Sequence, residues 1–305
     1  MALPTIQLIG FPMSLGAGKR GMDTAPSALR IAGIRKRLEA LGYIVKDSGD
    51  IQIISQETQD VGNPRLRYME EILRVSRKEA AMVQAVLDVG DFPLIMGGDH
   101  SMSIGTLAGV GLHCQEQGKK LGVVWVDAHP DMNTPESSPS GNIHGMPLAV
   151  SMGIGAPELT SLGGDFVKVE PENVIIVGAR DIDTGEAELI KRLGVKTYTM
   201  YDIDKLSMVR IVEEVVAGMR ERKIDHLHVS FDVDSADPSV APGVGTPVPG
   251  GLSYREAHFL MEGLAESGMV ASMDITEVNP ILDERNRTAE FAAEIVCSCM
   301  GKRIM

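Results

Sequence analysis

Short apolar runs alternate with longer stretches of helical spacing from one end of the chain to the other. Eight runs have the length and the β-branched content of strands: Thr5–Phe11, Tyr43–Lys46, Phe92–Met96, Gly122–Asp127, Asn173–Val177, Val195–Thr199, His226–Phe231 and Met269–Ile275. Between them, Arg67–Leu87, Tyr201–Arg222 and Ser253–Glu266 repeat apolar residues at the period of a helix. Another helix is predicted to open at Thr24-Ala-Pro-Ser, with a capping residue and an early proline, and to close at Gly42 after Leu41. Strands that alternate with helices predict a parallel sheet covered on both faces. The unbroken Val-Ile-Ile-Val at 174–177 suits a strand with no wet side. No linker, repeat or low-complexity tract interrupts the pattern, so residues 1–305 are expected to form a single α/β domain.

Composition narrows the function classes. The formal charge is −13, from 42 acidic and 29 basic residues, which argues against a nucleic-acid or anionic-membrane partner and suits a small cationic substrate. Cys114, Cys297 and Cys299 are odd in number and form no zinc-type clusters, as expected in a reducing compartment. No apolar run reaches the length of a membrane span, and the first residues lack a basic start followed by an apolar core. A cytoplasmic location is expected.

Three predicted strands lead into residues that bind metals: Gly97-Gly98-Asp99-His100-Ser101, Asp127-Ala-His129-Pro-Asp131 and Asp232-Val-Asp234. Open parallel sheets bind ligands outside the carboxyl ends of their strands, so distant segments can converge there. Residues two apart on an extended strand share a face, which would aim Asp127, His129 and Asp131 together, and Asp232 with Asp234. Four carboxylates at the end of a buried sheet are costly unless cations offset them. Oxygen-rich ligands with two imidazoles and no thiolate suit Mn²⁺ best, with Fe²⁺ or Co²⁺ as alternatives. A metal pair can share a hydroxide nucleophile. Each fragment alone is more often a loop cap or a satisfied core histidine than a metal site; their joint placement at strand ends favours a metal site.

In combination these segments resemble the signatures of the ureohydrolase family, which contains arginases and agmatinases. Arg20-Gly21 with the following Ala-Pro-Ser-Ala-Leu-Arg, Gly245-Thr-Pro-Val-Pro-Gly-Gly and Asp274-Ile-Thr-Glu277-Val-Asn-Pro extend the resemblance over nearly the whole chain. The resemblance implies a three-layer α/β/α sandwich around an eight-stranded parallel sheet, and assembly as a homotrimer or homohexamer. The chain ends at Met305 and is expected to lack the extended C-terminal tail of animal arginases, so a trimer would be held otherwise. The resemblance also implies two Mn²⁺ per subunit: one held by His100, Asp127, Asp131 and Asp232, the other by Asp127, His129, Asp232 and Asp234.

Two segments bear on the substrate. Asn133-Thr-Pro-Glu-Ser-Ser-Pro-Ser140-Gly-Asn142-Ile-His144 resembles the arginase loop in which the positions of Asn133, Ser138 and Ser140 meet an α-carboxylate, with Asn142 on the same loop. Glu136 and Pro139 depart from that pattern, and Glu136 is expected to face solvent. Arg180-Asp181-Ile-Asp183-Thr-Gly-Glu186 resembles the stretch in which the Asp183 position meets an α-ammonium, assisted by Asp181 and Glu186. These acids could equally cap the helix that follows. Thr246 is a further candidate contact. By the same resemblance Asp131 passes a proton to the departing amine, Glu277 pairs with the guanidinium, and His144 shuttles protons. L-arginine is thus the expected substrate, to be split into ornithine and urea. Agmatine or another guanidino acid is the nearest alternative, an inactive metal-binding homologue the second, and a deacetylase of similar architecture the third.

Overall fold

In the computed structural model, which describes residues 3–304, all eight predicted strands form: β1 Ile6–Phe11, β2 Val45–Asp50, β3 Phe92–Gly97, β4 Leu121–Val126, β5 Val174–Ala179, β6 Lys196–Thr199, β7 His226–Asp232 and β8 Val270–Thr276. They make one parallel sheet in the order β2-β1-β3-β8-β7-β4-β5-β6. Among the described residues ten α-helices accompany them: α1 Ala25–Ile31, α2 Ile34–Ala40, α3 Met69–Asp88, α4 Ser103–Glu116, α5 Pro147–Ser151, α6 Pro157–Thr160, α7 Thr184–Leu193, α8 Met200–Glu221, α9 Tyr254–Ser267 and α10 Arg287–Cys299. None is long and apolar enough to cross a membrane.

Side-chain alternation along the strands divides the apolar interior into two cores, one per face. Ile6, Leu8, Val124, Val126, Ile175 and Val177 pack with α1, α2, α8, α9 and α10. Ile9, Phe11, Val123, Trp125, Val174 and Ile176 pack with α3, α4, α5 and α7. This is the three-layer sandwich expected. The pattern is broken on one face of the central strands. Leu227, Val229 and Phe231 of β7 join the first core, whereas His226, His228 and Ser230 turn the other way and are equally buried, as are Ser272 and Asp274 of β8.

Three expectations need correction. The helix expected to run from Thr24 to Gly42 is two, because Gly33 takes a left-handed φ of 77° that no right-handed helix can carry. The second strand lies further along than Tyr43–Lys46: it is an edge strand of sequence Val-Lys-Asp-Ser-Gly-Asp, too polar to show an apolar rhythm. Residues 201–222 are helical but kinked where Ser207 leaves helical geometry. Helix α4 had no apolar period to betray it. Its glycines let α3 approach closely, since a Cβ on Gly109 would lie 2.4 Å from the Ala80 carbonyl oxygen.

Candidate metal centre and substrate cleft

The sequence-chosen ligands meet at the carboxyl ends of the neighbouring strands β3, β8, β7 and β4. Strand alternation is not what aims them. Strand β4 ends at Val126, and the acid at each strand end instead organises its own turn. Asp127 accepts a hydrogen bond from the His129 amide at 2.7 Å, and Asp232 accepts one from the Asp234 amide at 2.8 Å. One oxygen of each acid is used locally and the other points inward. Asp131 has φ 53° and Glu277 φ 62°, conformations that are costly outside glycine and typical of residues held for function. The surroundings hold both: the Asp131 carbonyl accepts from the Leu148 and Ala149 amides at 3.1 and 3.3 Å, and the Glu277 amide donates to the Gly98 carbonyl at 2.8 Å.

At the centre, the His100 Nδ1 atom lies 3.1 Å from Asp127, 3.0 Å from Asp131 and 3.1 Å from Asp232. All four groups are buried, and neither His100 Nδ1 nor Asp131 Oδ2 has a hydrogen-bond partner. The other ring nitrogen, Nε2, lies 2.8 Å from the Ser230 hydroxyl, which itself donates to Asp274 at 2.5 Å. Ser230 must therefore accept from His100 Nε2–H, which leaves Nδ1, facing three carboxylate oxygens, as the nitrogen that can either hold a proton or ligate a metal. Acceptors crowded this way require a cation among them. Beside it, His129 Nδ1 lies 3.4 Å from Asp127 and 3.2 Å from Asp234. The geometry marks out two groups able to hold an ion, His100-Asp127-Asp232 and Asp127-His129-Asp234, sharing Asp127.

Charge crowding is visible in the metal-free proton affinities. Burial and the neighbouring Asp127 raise Asp131 to about 6, and burial with Asp234 and Asp127 raises Asp232 well above the carboxylate range. Burial lowers the proton affinity of His100, but Asp127, Asp131 and Asp232 outweigh it and hold it well above the usual value. The site would thus bind protons tightly where it cannot bind metal.

Above the centre opens a cleft. Asn133, Ser138, Ser140, Asn142, His144, Asp181, Asp183, Glu186 and Thr246 all line it, together with His129, Asp131, Asp232 and Asp234. His100, Asp127 and Glu277 are buried beneath its floor. Glu136 is exposed, as expected. The Ser138 and Ser140 hydroxyl oxygens accept from the amides of Gly141 and Asn142, so both hydroxyl hydrogens remain free to donate. Asp183 does open α7, and Glu186 accepts from its amide at 2.9 Å. Capping is not its only contact, because Asp183 also accepts from the Asn133 side-chain amide at 2.9 Å. Thr246 donates to Asp234 at 3.0 Å. Glu277 and His144, picked for separate tasks, touch: Glu277 Oε1 lies 3.0 Å from His144 Nδ1 and accepts from the His100 amide at 2.9 Å, while Oε2 is buried without a partner. Burial would lower the His144 proton affinity, but Glu277 dominates and raises it to about 9 in the metal-free protein.

Several residues that shape the site escaped sequence reasoning. Ser137 donates to the Asn133 side-chain oxygen Oδ1 at 2.9 Å and fixes the orientation of that amide. Trp125 donates its indole N–H to Asp127 at 3.0 Å and stacks on the His100 ring, with centroids 4.1 Å apart. Asp99, although inside a ligand-rich segment, faces away from the metal groups and accepts from the Gly16 and Ala17 amides at 2.8 and 3.2 Å. The guanidinium of Arg180 donates to the carbonyls of Asp234, Ser235 and Val248 at 2.7, 3.0 and 2.7 Å, tying the turn that carries Asp234 to the Gly- and Pro-rich segment 237–251 that follows it. A carbonyl cage around one arginine leaves no mark in sequence. Arg180→Met would strand those carbonyls at about 1–3 kcal/mol each. The expected result is a lower melting temperature and weaker metal uptake, only partly restored in Arg180→Lys because an ammonium lacks the planar fork. Unchanged melting and uptake in Arg180→Met would refute the assignment.

A model of the Arginase family matches residues 4–301 of the chain. The chain is 51% identical to the arginase of Bacillus caldovelox over 98% of its own length and 99% of the relative's. The solved structure of arginase from that organism superposes with a TM-score of 0.95 at 50% identity, covering 99% of this chain and 100% of the other. A structure of Entamoeba histolytica arginase in complex with L-ornithine gives a TM-score of 0.90 at 33% identity, again over 99% and 100% of the two chains. With the same sheet, matching length and this concentration of His and Asp ligands at its carboxyl end, the chain belongs to the arginase family of hydrolases.

Proposed function

We propose that this protein hydrolyses L-arginine to L-ornithine and urea, using two Mn²⁺ per subunit. The observation that carries the reading is the His100 Nδ1 atom set among three carboxylates, with the unpartnered Glu277 oxygen buried beside it. His100, Asp127, Asp131 and Asp232 would hold one ion, and Asp127, His129, Asp232 and Asp234 the other. Bound there, a pair of divalent ions would generate hydroxide near neutral pH and offset the charge of the acid cluster.

The remaining chemistry belongs to the side chains. Glu277 Oε2 accepts from the guanidinium and sets its carbon over the metal groups. Asn133, Ser138 and Ser140 donate to the α-carboxylate, with Asn142 beside them. Asp183 accepts from the α-ammonium, and Asp181 and Glu186 add negative charge around it. Asp131, which lines the cleft, accepts the proton of the attacking water and returns it to the departing amine nitrogen. His144 carries protons between the cleft and solvent, and Thr246 steadies Asp234. The relative crystallised with L-ornithine supports this reading, since ornithine is the product that retains both α-substituents. Homotrimeric or homohexameric assembly belongs to the proposal, as does a cytoplasmic location, which suits three unpaired thiols.

The test is urea release from L-arginine and from agmatine by protein stripped of metal and reloaded with Mn²⁺. Preference for arginine supports the reading. Preference for agmatine removes the roles of Asn133, Ser140 and Asp183, and inactivity on both removes the function. Within that assay Ser140→Ala should raise KM for arginine about tenfold, the worth of one hydrogen bond to a charged group. It should leave kcat and the agmatine reaction nearly unchanged. An equal effect on both substrates would place Ser140 outside α-carboxylate recognition.

A further inference from the structure

The polar stripe on the inner face of β7 and β8 forms one connected chain of hydrogen bonds beneath the metal groups. His226 Nε2 lies 2.8 Å from the Ser272 hydroxyl, which lies 2.9 Å from His228 Nδ1. His228 Nε2 lies 3.3 Å from Asp274 Oδ2, which also accepts from Ser103 of α4 at 2.9 Å. From the other end, His100 reaches Asp274 Oδ1 through Ser230. Every member except His226 is fully shielded by the helices above, and His226 borders a cleft at the opposite edge of the sheet. Register makes the chain continuous, because Ser230 pairs with Asp274 and His228 with Ser272 across the two strands.

Donor and acceptor accounting gives the chain a direction. Asp274 can only accept while ionised, so His228 must present Nε2–H to it, whether the ring is neutral or charged. With Ser230 donating to the other oxygen, Asp274 is the sink where two chains meet. Burial would push the Asp274 carboxyl up, but His228 and its other donors hold it below the usual range. Without the His228 donor, Asp274 would be a dry carboxylate short of a partner, which takes up a proton or turns away. Ser230 would then be free to donate to His100 Nε2, and the imidazole would carry its hydrogen on Nδ1, aimed into the ligand cluster. A ring in that state cannot ligate through Nδ1.

We propose that His228, backed by Ser272 and His226, is a positioning residue of the metal centre: through Asp274 and Ser230 it fixes His100 in the tautomer whose Nδ1 lone pair faces the carboxylates. The hydrogen bonds of His228 go to Ser272 and Asp274 and not to a ligand residue, so it would act through this chain. The inference rests on the reading of His100 as a ligand.

The test is equilibrium dialysis of Mn²⁺ against the full-length protein and three variants. Wild type should take up two ions, and His228→Leu should bind the ion at His100 about 10–100-fold more weakly. His228→Gln should recover near wild-type binding, since its amide can donate to Asp274 and accept from Ser272. Should His228→Leu fail to fold, Ser272→Ala removes the hydroxyl that fixes the ring and should itself weaken Mn²⁺ binding. Wild-type affinity in His228→Leu or in Ser272→Ala, or equal loss in the leucine and glutamine variants, would overturn the proposal. Uptake of fewer than two ions by wild type would instead overturn the two-metal reading beneath it.

Discussion

Replacing Glu277 by glutamine is expected to lower kcat/KM for L-arginine on the order of 10²–10⁴-fold, the rate equivalent of breaking a buried charge pair worth about 3–5 kcal/mol. The carboxylate is fully buried, one oxygen committed to His100 and His144 and the other open. Glutamine keeps the shape and can still accept from the His100 amide, so both Mn²⁺ ions should remain bound. The anionic partner of the guanidinium is lost, and with it the charge that raises the proton affinity of His144. Parallel measurement of metal content and urea release separates the two effects. Full metal content with near wild-type turnover would remove Glu277 from substrate binding.

Asp232→Ala should have an effect of similar size by a different route. Asp232 is proposed to ligate both ions, and its carboxylate lies 3.1 Å from His100 Nδ1. The variant should therefore bind Mn²⁺ poorly at both positions and lose nearly all activity. Its stability should move in opposite directions in the two states. Without metal, removing one member of a crowded set of buried carboxylates relieves repulsion, and the variant should melt no lower than metal-free wild type. With Mn²⁺ in excess, wild type gains binding free energy that the variant cannot, and the order reverses. Scanning calorimetry with and without chelator reads both. A metal-free variant that melts far below metal-free wild type would mean that Asp232 supports the fold by some means other than charge.

The interior strands were legible because a parallel sheet buried on both faces demands apolar runs, whereas the polar edge strand β2 was misplaced. Helix α4 was not legible, because the glycines that let α3 approach are poor helix formers that replace an apolar stripe. The members of the acid and imidazole cluster were legible by residue type and position, but strand alternation does not account for their convergence. Asp127 and Asp232 gather their partners by accepting amide hydrogen bonds in turns, and Asp131 does so by a left-handed backbone, neither of which alternation describes. Contacts between remote segments were beyond reach altogether. His144 and Glu277 are 133 residues apart, and Asn133 and Asp183 are 50 apart, yet both pairs are in hydrogen-bond contact. Chemistry that chooses residue types leaves traces in sequence; the partner a side chain finds across the sheet does not.

The chain has a single tryptophan, and it is the residue stacked on His100 and bonded to Asp127. Red-edge excited emission therefore comes from one indole in van der Waals contact with a proposed ligand ring, with no background from elsewhere in the chain. A paramagnetic ion settling among those ligands would quench it at short range, whereas Mg²⁺ would leave it bright. The protein thus contains its own optical gauge of occupancy, able to follow loading and stripping of the centre in real time without a label.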